Sequence, residues 1–306
     1  MIYPWQQSQW QQFNDMQKNR IPHALLLLGK PGLGKKSFAE MMAKTLLCEQ
    51  ANDVACDHCH SCSLFQANTH PDFKSISPEE SASMIKIDQI RDVTHFVYET
   101  AQQSKNRVVV IDPATRMNIQ SMNALLKTLE EPAPHVVIIL TAEQSLRLPA
   151  TITSRCQKII FHAPAEKVAL AWSEDLTVEA LELAEGAPLK ALAMIKENQL
   201  TVKKELYQGL IDLAQDKADP LQLALKYQEM DLRFILDLLF IWVKGLLRAQ
   251  LQAVHEFPFK KLKSSQLVEY SHYIQKIYEY VFASVNLNKQ LLLEDLFIRW
   301  KQYVSG

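Results

Sequence analysis

A glycine-rich segment at residues 29–37 has the residue types and spacing of a phosphate-binding loop. It reads G-K-P-G-L-G-K-K-S and follows the apolar run 24–28, which predicts a strand leading into the loop. In that context backbone N–H groups of the glycines and the ammonium of Lys35 can bind phosphate. The residue after the lysine usually carries the hydroxyl that holds Mg²⁺, but here it is Lys36, and the hydroxyl comes one position later at Ser37. The predicted nucleotide-binding residues are Gly29, Gly32, Gly34, Lys35, Ser37 and Asp112.

Asp112 belongs to the second half of the same chemistry. It ends the short apolar run R-V-V-V-I-D at 107–112, the usual form of the motif whose aspartate holds Mg²⁺ in loop-type NTPases. A glutamate that orients the attacking water often follows, whereas this chain has Pro113. With the magnesium hydroxyl and the base both missing, we expect no ATP hydrolysis. Weak ATP binding and an empty turn kept for folding stay as alternatives.

Four of the five cysteines lie close together in the sequence, with the pattern C-x7-C-x2-C-x2-C. In a reducing cytosol this spacing indicates a metal site rather than disulfides. Four thiolates complete a closed tetrahedron around zinc, so the predicted role is structural. The predicted ligands are Cys48, Cys56, Cys59 and Cys62; alternatives are an iron–sulfur cluster, or replacement of one cysteine by His58, His60 or His70. Cys156 stands alone and is interpreted as a small buried residue.

Alternating apolar runs and amphipathic segments must position these residues. Helices are predicted at 36–48, 85–101 and 118–131, and strands at 73–76, 107–112, 135–140 and 158–161. Strands that alternate with helices predict a parallel, doubly wound α/β sheet. Ligands of such sheets bind at the carboxyl ends of the strands, where the loop and Asp112 both fall.

The strand signals end near residue 165, and the remainder reads as helix. We therefore predict an α/β domain at 1–164 with the four-cysteine module inserted at 48–62, a small all-α domain at 165–200 and an all-α domain at 201–306. Net charge is −1 in 306 residues, so a protein that coats DNA by itself is not expected. The chain shows neither a signal peptide nor an apolar run of membrane-spanning length, and we expect a cytoplasmic location with no membrane contact.

Two further motifs carry a resemblance to a known family. N-A-L-L-K-T-L-E-E-P at 123–132 and S-R-C at 154–156 follow the Asp112 strand in order. With the cysteine module, they resemble the clamp-loader subunits of bacterial DNA polymerase III, in the AAA+ class. The resemblance implies an AAA+ domain, a helical lid and a helical collar. It also implies a place in a pentamer that opens the sliding clamp and loads it onto primer-template DNA.

Within that family the chain is similar to the member that keeps the fold without hydrolysing ATP. The ATPase subunits, gamma and its longer form tau, have threonine in place of Lys36 and an acid in place of Pro113. They also have a nucleotide-sensing arginine in the lid, where this chain has Lys190. The resemblance implies that Arg155 is an arginine finger, acting in trans on ATP bound to a neighbouring ATPase subunit. The implied partners are gamma or tau, delta, the clamp and DNA, within a polymerase holoenzyme.

Two other functions are considered. One is an active ATPase, either a gamma-like subunit or another AAA+ motor, which would need Ser37 to move into the metal position. The other is a zinc-dependent nucleic-acid-binding module, which predicts a basic and aromatic surround for the cysteines. The surround is instead acidic, with Glu49, Asp53, Asp57 and Asp72.

Overall fold

The chain forms two compact units, Met1–Glu197 and Asn198–Gly306. The structure is a computed structural model of the 306-residue chain. It describes residues 2–79, 84–143, 148–251, 259, 262–282 and 288–305. Within those residues, no helix is both long and apolar enough to cross a lipid bilayer.

The first unit is built on a parallel sheet of five strands. The strands are β1 (Ala24–Leu28), β2 (Phe73–Ile76), β3 (Arg107–Ile111), β4 (Val136–Ala142) and β5 (Gln157–Ile160). Their order in the sheet is β2-β3-β4-β1-β5. Every residue of β1, β3 and β4 is buried, as expected for central parallel strands that helices cover on both faces. The predicted parallel sheet is confirmed.

Alternate side chains of the strands enter two separate cores. Leu26 and Val109 lie in a cluster with side chains of helices α4 (Ile87–Tyr98) and α5 (Ile119–Glu130). Leu25 and Val108 pack on the other face against helices α1 (Gln7–Asn19) and α2 (Lys35–Leu47). This division follows from the two-residue period of a strand. The helices are α1 (Gln7–Asn19), α2 (Lys35–Leu47), α3 (His60–Gln66), α4 (Ile87–Tyr98), α5 (Ile119–Glu130) and α6 (Ala150–Thr153).

Three short helices complete the first unit: α7 (Glu166–Trp172), α8 (Val178–Leu183) and α9 (Pro188–Lys196). They occupy most of the stretch predicted to be a small helical domain. The three helices fall within the first compact unit. A separate small domain at 165–200 therefore stays a prediction.

In the second unit, helix is the only regular secondary structure among the described residues. It consists of α10 (Gln199–Ala214), α11 (Pro220–Tyr227), α12 (Leu232–Leu251), α13 (Ser264–Phe282) and α14 (Lys289–Ser305). Trp300 of α14 is fully buried at its centre, and its indole N–H donates to Leu210 O at 2.9 Å. Tyr270 packs on the same indole with 5.5 Å between ring centroids. The predicted all-α second half is confirmed.

Two local predictions differ from the structure. The helix predicted at 85–101 spans only Ile87–Tyr98, because Ile85 instead pairs with Met117 and the chain after Tyr98 turns to bind Asp72. Helix α1 was not predicted. Its glutamine-rich sequence has a weak apolar pattern, yet Trp10 and Phe13 are buried in the core.

Candidate functional site

The predicted phosphate loop joins β1 to α2 at the carboxyl edge of the sheet. Gly32 (φ +78°) and Gly34 (φ +83°) are left-handed, a conformation that favours glycine. A cavity of about 330 Å³ lies there, with Lys36, Thr141 and Glu143 in its wall. Of the predicted residues, its wall contains Gly32, Gly34, Lys35, Ser37 and Asp112. Gly29 lies at the end of β1, packed against Phe161.

The ammonium of Lys35 binds the loop of its own chain. Its Nζ donates to Gly29 O at 2.6 Å and to Lys30 O at 2.8 Å. The side chain is buried, and burial lowers the pKa of Lys35, an effect that the negative charges of Glu143 and Asp112 partly oppose. The group that would bind a phosphate oxygen in a phosphate loop is therefore already bonded to carbonyls of the loop.

Asp112 is bonded to the neighbouring strand. Ile111 pairs with Leu140 in the parallel register, which places Asp112 beside Thr141. The Thr141 hydroxyl donates to Asp112 Oδ1. Pro113 follows in the cavity wall, so no carboxylate stands at the position from which a base would act. Lys36 is exposed and Ser37 is half-buried, both facing the same cavity.

The N-terminal segment, residues 3–6, also contacts the phosphate loop. Gln6 is fully buried, and its side-chain amide donates to Leu33 O at 2.9 Å and to Gly34 O at 3.1 Å. The indole N–H of Trp5 donates to Leu33 O as well, at 3.1 Å. A Cβ on Gly34 would lie 2.7 Å from the Tyr3 ring. Leu33 O and Gly34 O thus accept hydrogen bonds from two side chains that no sequence motif marks.

An aromatic cluster connects this segment to α7. Tyr3 and Trp5 stack with 4.9 Å between ring centroids and 4° between planes. The Trp172 ring is nearly perpendicular to both, with its centroid 5.5 Å from that of Tyr3 and 5.2 Å from that of Trp5. We call Tyr3, Trp5 and Trp172 the aromatic clasp. Because two of its members precede β1 and the third ends α7, it joins elements far apart in sequence.

The start of α9 rests directly on the phosphate loop. Leu189 N–H donates to Gly32 O at 3.1 Å. A Cβ on Gly32 would lie 2.5 Å from Lys190 Cβ and 2.6 Å from Lys190 N, so only glycine fits. The position at which the ATPase subunits are expected to have a sensing arginine therefore lies at the loop, where it is occupied by Lys190. The structure thus brings Lys190 and the loop together.

The four clustered cysteines converge on one point. Their sulfur atoms all lie within 4.8 Å of one another. Cys48 Sγ is 3.8 Å from Cys59 Sγ, and Cys56 Sγ is 4.0 Å from Cys62 Sγ. Zinc with four thiolates at about 2.3 Å has sulfur–sulfur edges of about 3.8 Å, so the residues fit a tetrahedral ion. Among the described residues this is the one group of three or more cysteines, histidines or acids that could hold a metal ion.

Backbone N–H groups point at the cysteine sulfurs. Cys56 N–H donates to Cys48 Sγ at 3.3 Å, Cys59 N–H to Cys56 Sγ at 3.4 Å, and Cys62 N–H to Cys59 Sγ at 3.4 Å. The backbone N–H of His58 lowers the pKa of Cys56 to about 7, whereas burial raises the pKa of Cys62 to about 12. A cysteine must lose its thiol proton to bind a metal ion, and N–H groups that donate to the sulfur stabilise the resulting thiolate.

The alternative histidine ligands have other partners. His58 Nδ1 lies 2.6 Å from Cys56 O and its Nε2 3.3 Å from Gln50 Oε1. His70 Nδ1 accepts from Asp72 N–H at 3.1 Å, so its proton is on Nε2, which lies 2.8 Å from Ser61 Oγ. Burial lowers the pKa of His70, which keeps the ring neutral. His60 begins α3 and is exposed.

Arg155 lies in the turn between α6 and β5. Its Nη1 donates to Thr151 O at 2.8 Å, and its Nη2 lies 2.7 Å from Glu130 Oε1. The side chain is 35% exposed, so the guanidinium is anchored and still faces solvent. The next residue, Cys156, is buried in the sheet core, and burial raises its pKa to about 11. The two halves of the S-R-C motif thus face solvent and core respectively.

Known proteins with this sequence pattern place the chain in a family. The profile of the family described as "DNA polymerase III, delta subunit" matches residues 5–165. The DNA polymerase III subunit delta' (delta-prime) of Pseudomonas aeruginosa is 34% identical over 320 residues, with 98% of this chain and 97% of the relative covered. The chain belongs to the DNA polymerase III delta' family.

Other comparisons agree with that assignment. The delta' subunit of Escherichia coli strain K12 is 29% identical over 327 residues, covering 99% of this chain and 96% of the relative. A crystal structure of a DNA polymerase III gamma subunit-related protein from Thermotoga maritima matches with a TM-score of 0.51 and 17% identity, covering 96% of this chain and 99% of that one. At that identity the structure shows similarity of fold alone. The delta' family fits the predicted clamp-loader resemblance.

Proposed function

We propose that this chain is the non-hydrolysing delta' subunit of a clamp loader and that it completes a neighbouring subunit's ATPase site with Arg155. The observation that carries the proposal is a contrast within one domain. The phosphate loop is bonded to its own chain, whereas Arg155 is anchored beside solvent. A domain arranged in this way is suited to serving another subunit's nucleotide.

The contacts around the loop favour a site that does no chemistry of its own. Lys35 is bonded to two loop carbonyls, and Asp112 is bonded to Thr141. Pro113 offers no base. Hydrolysis needs a metal-held phosphate and an oriented water, and these side chains supply neither. The alternative of a gamma-like ATPase would need Ser37 to serve as the metal ligand.

The first experiment measures ATP turnover and ATP binding by the purified chain. Turnover should not exceed background, and binding in the presence of Mg²⁺ should be weak or absent. A matched Lys35→Met variant, which keeps the side-chain bulk and removes the ammonium, should behave like the native chain. Turnover that Lys35→Met abolishes would instead support the active-ATPase alternative.

The role of Arg155 rests on its chemistry and position. Its guanidinium is planar, permanently charged and matched to phosphate oxygens, and such fingers contribute on the order of a thousandfold or more to related phosphoryl transfers. In a loader reconstituted with its gamma or tau ATPase subunits, delta, clamp and primed DNA, Arg155→Ala should lower stimulated turnover strongly. Arg91→Ala is the matched control, since Arg91 is also an exposed arginine paired with a carboxylate, Asp88. Equal activities of the two variants would contradict the proposal.

We further propose that the cysteine site holds one structural zinc ion. The four sulfurs leave no ligand position for a substrate, and the surrounding side chains include Lys44 paired with Asp57 and Lys18 paired with Asp53. Because a carboxylate neutralises each of these two lysines, neither pair offers a net positive charge to a nucleic-acid backbone. The zinc-dependent nucleic-acid-binding alternative predicts retention on heparin at moderate salt, and we expect none.

A further inference from the structure

Glu130 and Arg155 come from two separate motifs and meet on one surface. Glu130 is the last residue of α5, within the L-E-E-P stretch, and Arg155 follows α6. Glu130 Oε1 is 2.7 Å from Arg155 Nη2, while Thr151 O accepts from Nη1 at 2.8 Å. The guanidinium is therefore held through both of its terminal nitrogens.

The carboxylate stands on a fixed part of the fold. Leu129, next to it, is buried, and its carbonyl lies 3.2 Å from His23 Nε2. The Tyr98 hydroxyl donates to Glu131 O at 3.1 Å, on the other side of Glu130. These contacts join the end of α5 to the residue before β1 and to α4, so Glu130 has a defined position from which to hold a partner.

Anchoring leaves enough of the guanidinium free to act. An arginine has five N–H donors, and the two contacts with Glu130 and Thr151 use only part of this set. The side chain is 35% exposed, so a ligand can approach it from solvent. A long side chain ordered before it meets a phosphate loses less rotamer freedom when it does so.

We infer that Glu130 is the positioning residue for Arg155, holding the guanidinium in the orientation from which it reaches a phosphate group on a neighbouring subunit. This inference rests on the proposed function. It assigns one task to two motifs: S-R-C supplies the cation, and the end of L-E-E-P orients it. Glu130 itself touches no nucleotide.

The expected effect is modest, because the pair is half exposed. Such pairs rarely contribute more than about fivefold, or about 1 kcal/mol. In the reconstituted loader, Glu130→Ala should lower the stimulated kcat about three- to fivefold, with KM for ATP within about twofold of native. Glu130→Asp should recover part of the loss. Glu131→Gln is the matched control, because it neutralises the adjacent exposed acid, and it should leave kcat unchanged.

A double-mutant cycle separates positioning from a general structural role. Glu130→Ala in a chain that already has Arg155→Ala should cause no further loss, because there is no guanidinium left to orient. The inference is overturned if the two losses multiply, or if Glu130→Ala leaves kcat at the native value while Arg155→Ala lowers it. The proposed function survives both of those results. It fails, and the inference with it, if Arg155→Ala is itself without effect.

Discussion

The close approach of α9 to the phosphate loop predicts a large effect of adding one carbon atom at Gly32. In Gly32→Ala the new Cβ would lie 2.5 Å from Lys190 Cβ and 2.6 Å from Lys190 N. Real Cβ atoms do not approach a backbone nitrogen so closely, and no side-chain rotation of Lys190 can move its backbone nitrogen or Cβ away. Either the loop or the first turn of α9 must move.

Three contributions add up to the loss of stability expected for Gly32→Ala. A non-glycine residue at φ +78° is strained by about 1 kcal/mol. Moving α9 away breaks the hydrogen bond from Leu189 N–H to Gly32 O, which contributes about 1 kcal/mol. Opening the packing around buried Ala187 adds a smaller amount. We expect Gly32→Ala to lower the free energy of unfolding of the first unit by about 2–3 kcal/mol.

Urea unfolding, combined with hydrogen exchange of the α9 amides, measures this effect. The amides of α9 should exchange faster in Gly32→Ala, and those of α12 should not change. Gly245→Ala is the matched control, because Gly245 lies in α12 with no atom within 4 Å of an added Cβ. That change should stabilise the helix by about 0.5–1 kcal/mol. If the free energy of unfolding of Gly32→Ala is within about 0.5 kcal/mol of the native value and the α9 amides stay protected, α9 does not pack on the loop as closely as described.

Three further predictions concern the metal site, a buried carboxylate and the aromatic clasp. Elemental analysis should find about one zinc per native chain and much less in Cys56→Ser; iron, or no metal in the native chain, would contradict this. Burial alone would raise the pKa of Asp72, but N–H groups of Gln102, Ser104 and Gln103, with the Arg107 charge, lower it overall. Its stabilisation is therefore present above its unfolded pKa of about 4 and lost as pH falls through the lower folded pKa. Asp72→Asn should destabilise the chain by about 3 kcal/mol at neutral pH and flatten this acid dependence, and an unchanged acid limb in pH-dependent unfolding would refute it. Trp172→Ala should raise hydrogen exchange in α7 and in the N-terminal segment together; a change in α7 alone would show that the clasp does not couple them.

The sequence could predict the sheet because burial on both faces leaves a clear pattern. The runs at β1, β3 and β4 are apolar almost without interruption, and parallel pairing requires that. The spacing of the cysteines likewise predicts that their sulfurs lie close together, since short turns bring nearby cysteines to one point. The four clustered cysteines do converge, so local sequence predicts well that their sulfurs lie close enough together to hold a metal ion.

The contacts that fill the phosphate loop could not be predicted in the same way. Gln6 is polar, yet it is fully buried because its amide satisfies two loop carbonyls. Trp5 and Trp172 are far apart in sequence and meet only through the tertiary fold. Such long-range pairs leave no periodicity, and a glutamine-rich segment by itself favours neither burial nor helix. The salt bridge of Glu130 with Arg155 is hidden for the same reason.

We propose that this chain serves a neighbour's nucleotide and has no active site of its own. The most direct measurement compares Arg155→Ala with Lys35→Met in the same reconstituted loader, recording clamp- and DNA-stimulated ATP turnover after assembly has been checked by gel filtration. We expect Arg155→Ala to lose most of the stimulated ATP turnover and Lys35→Met to keep the native turnover. The reverse result, with turnover lost in Lys35→Met and kept in Arg155→Ala, would contradict the proposal.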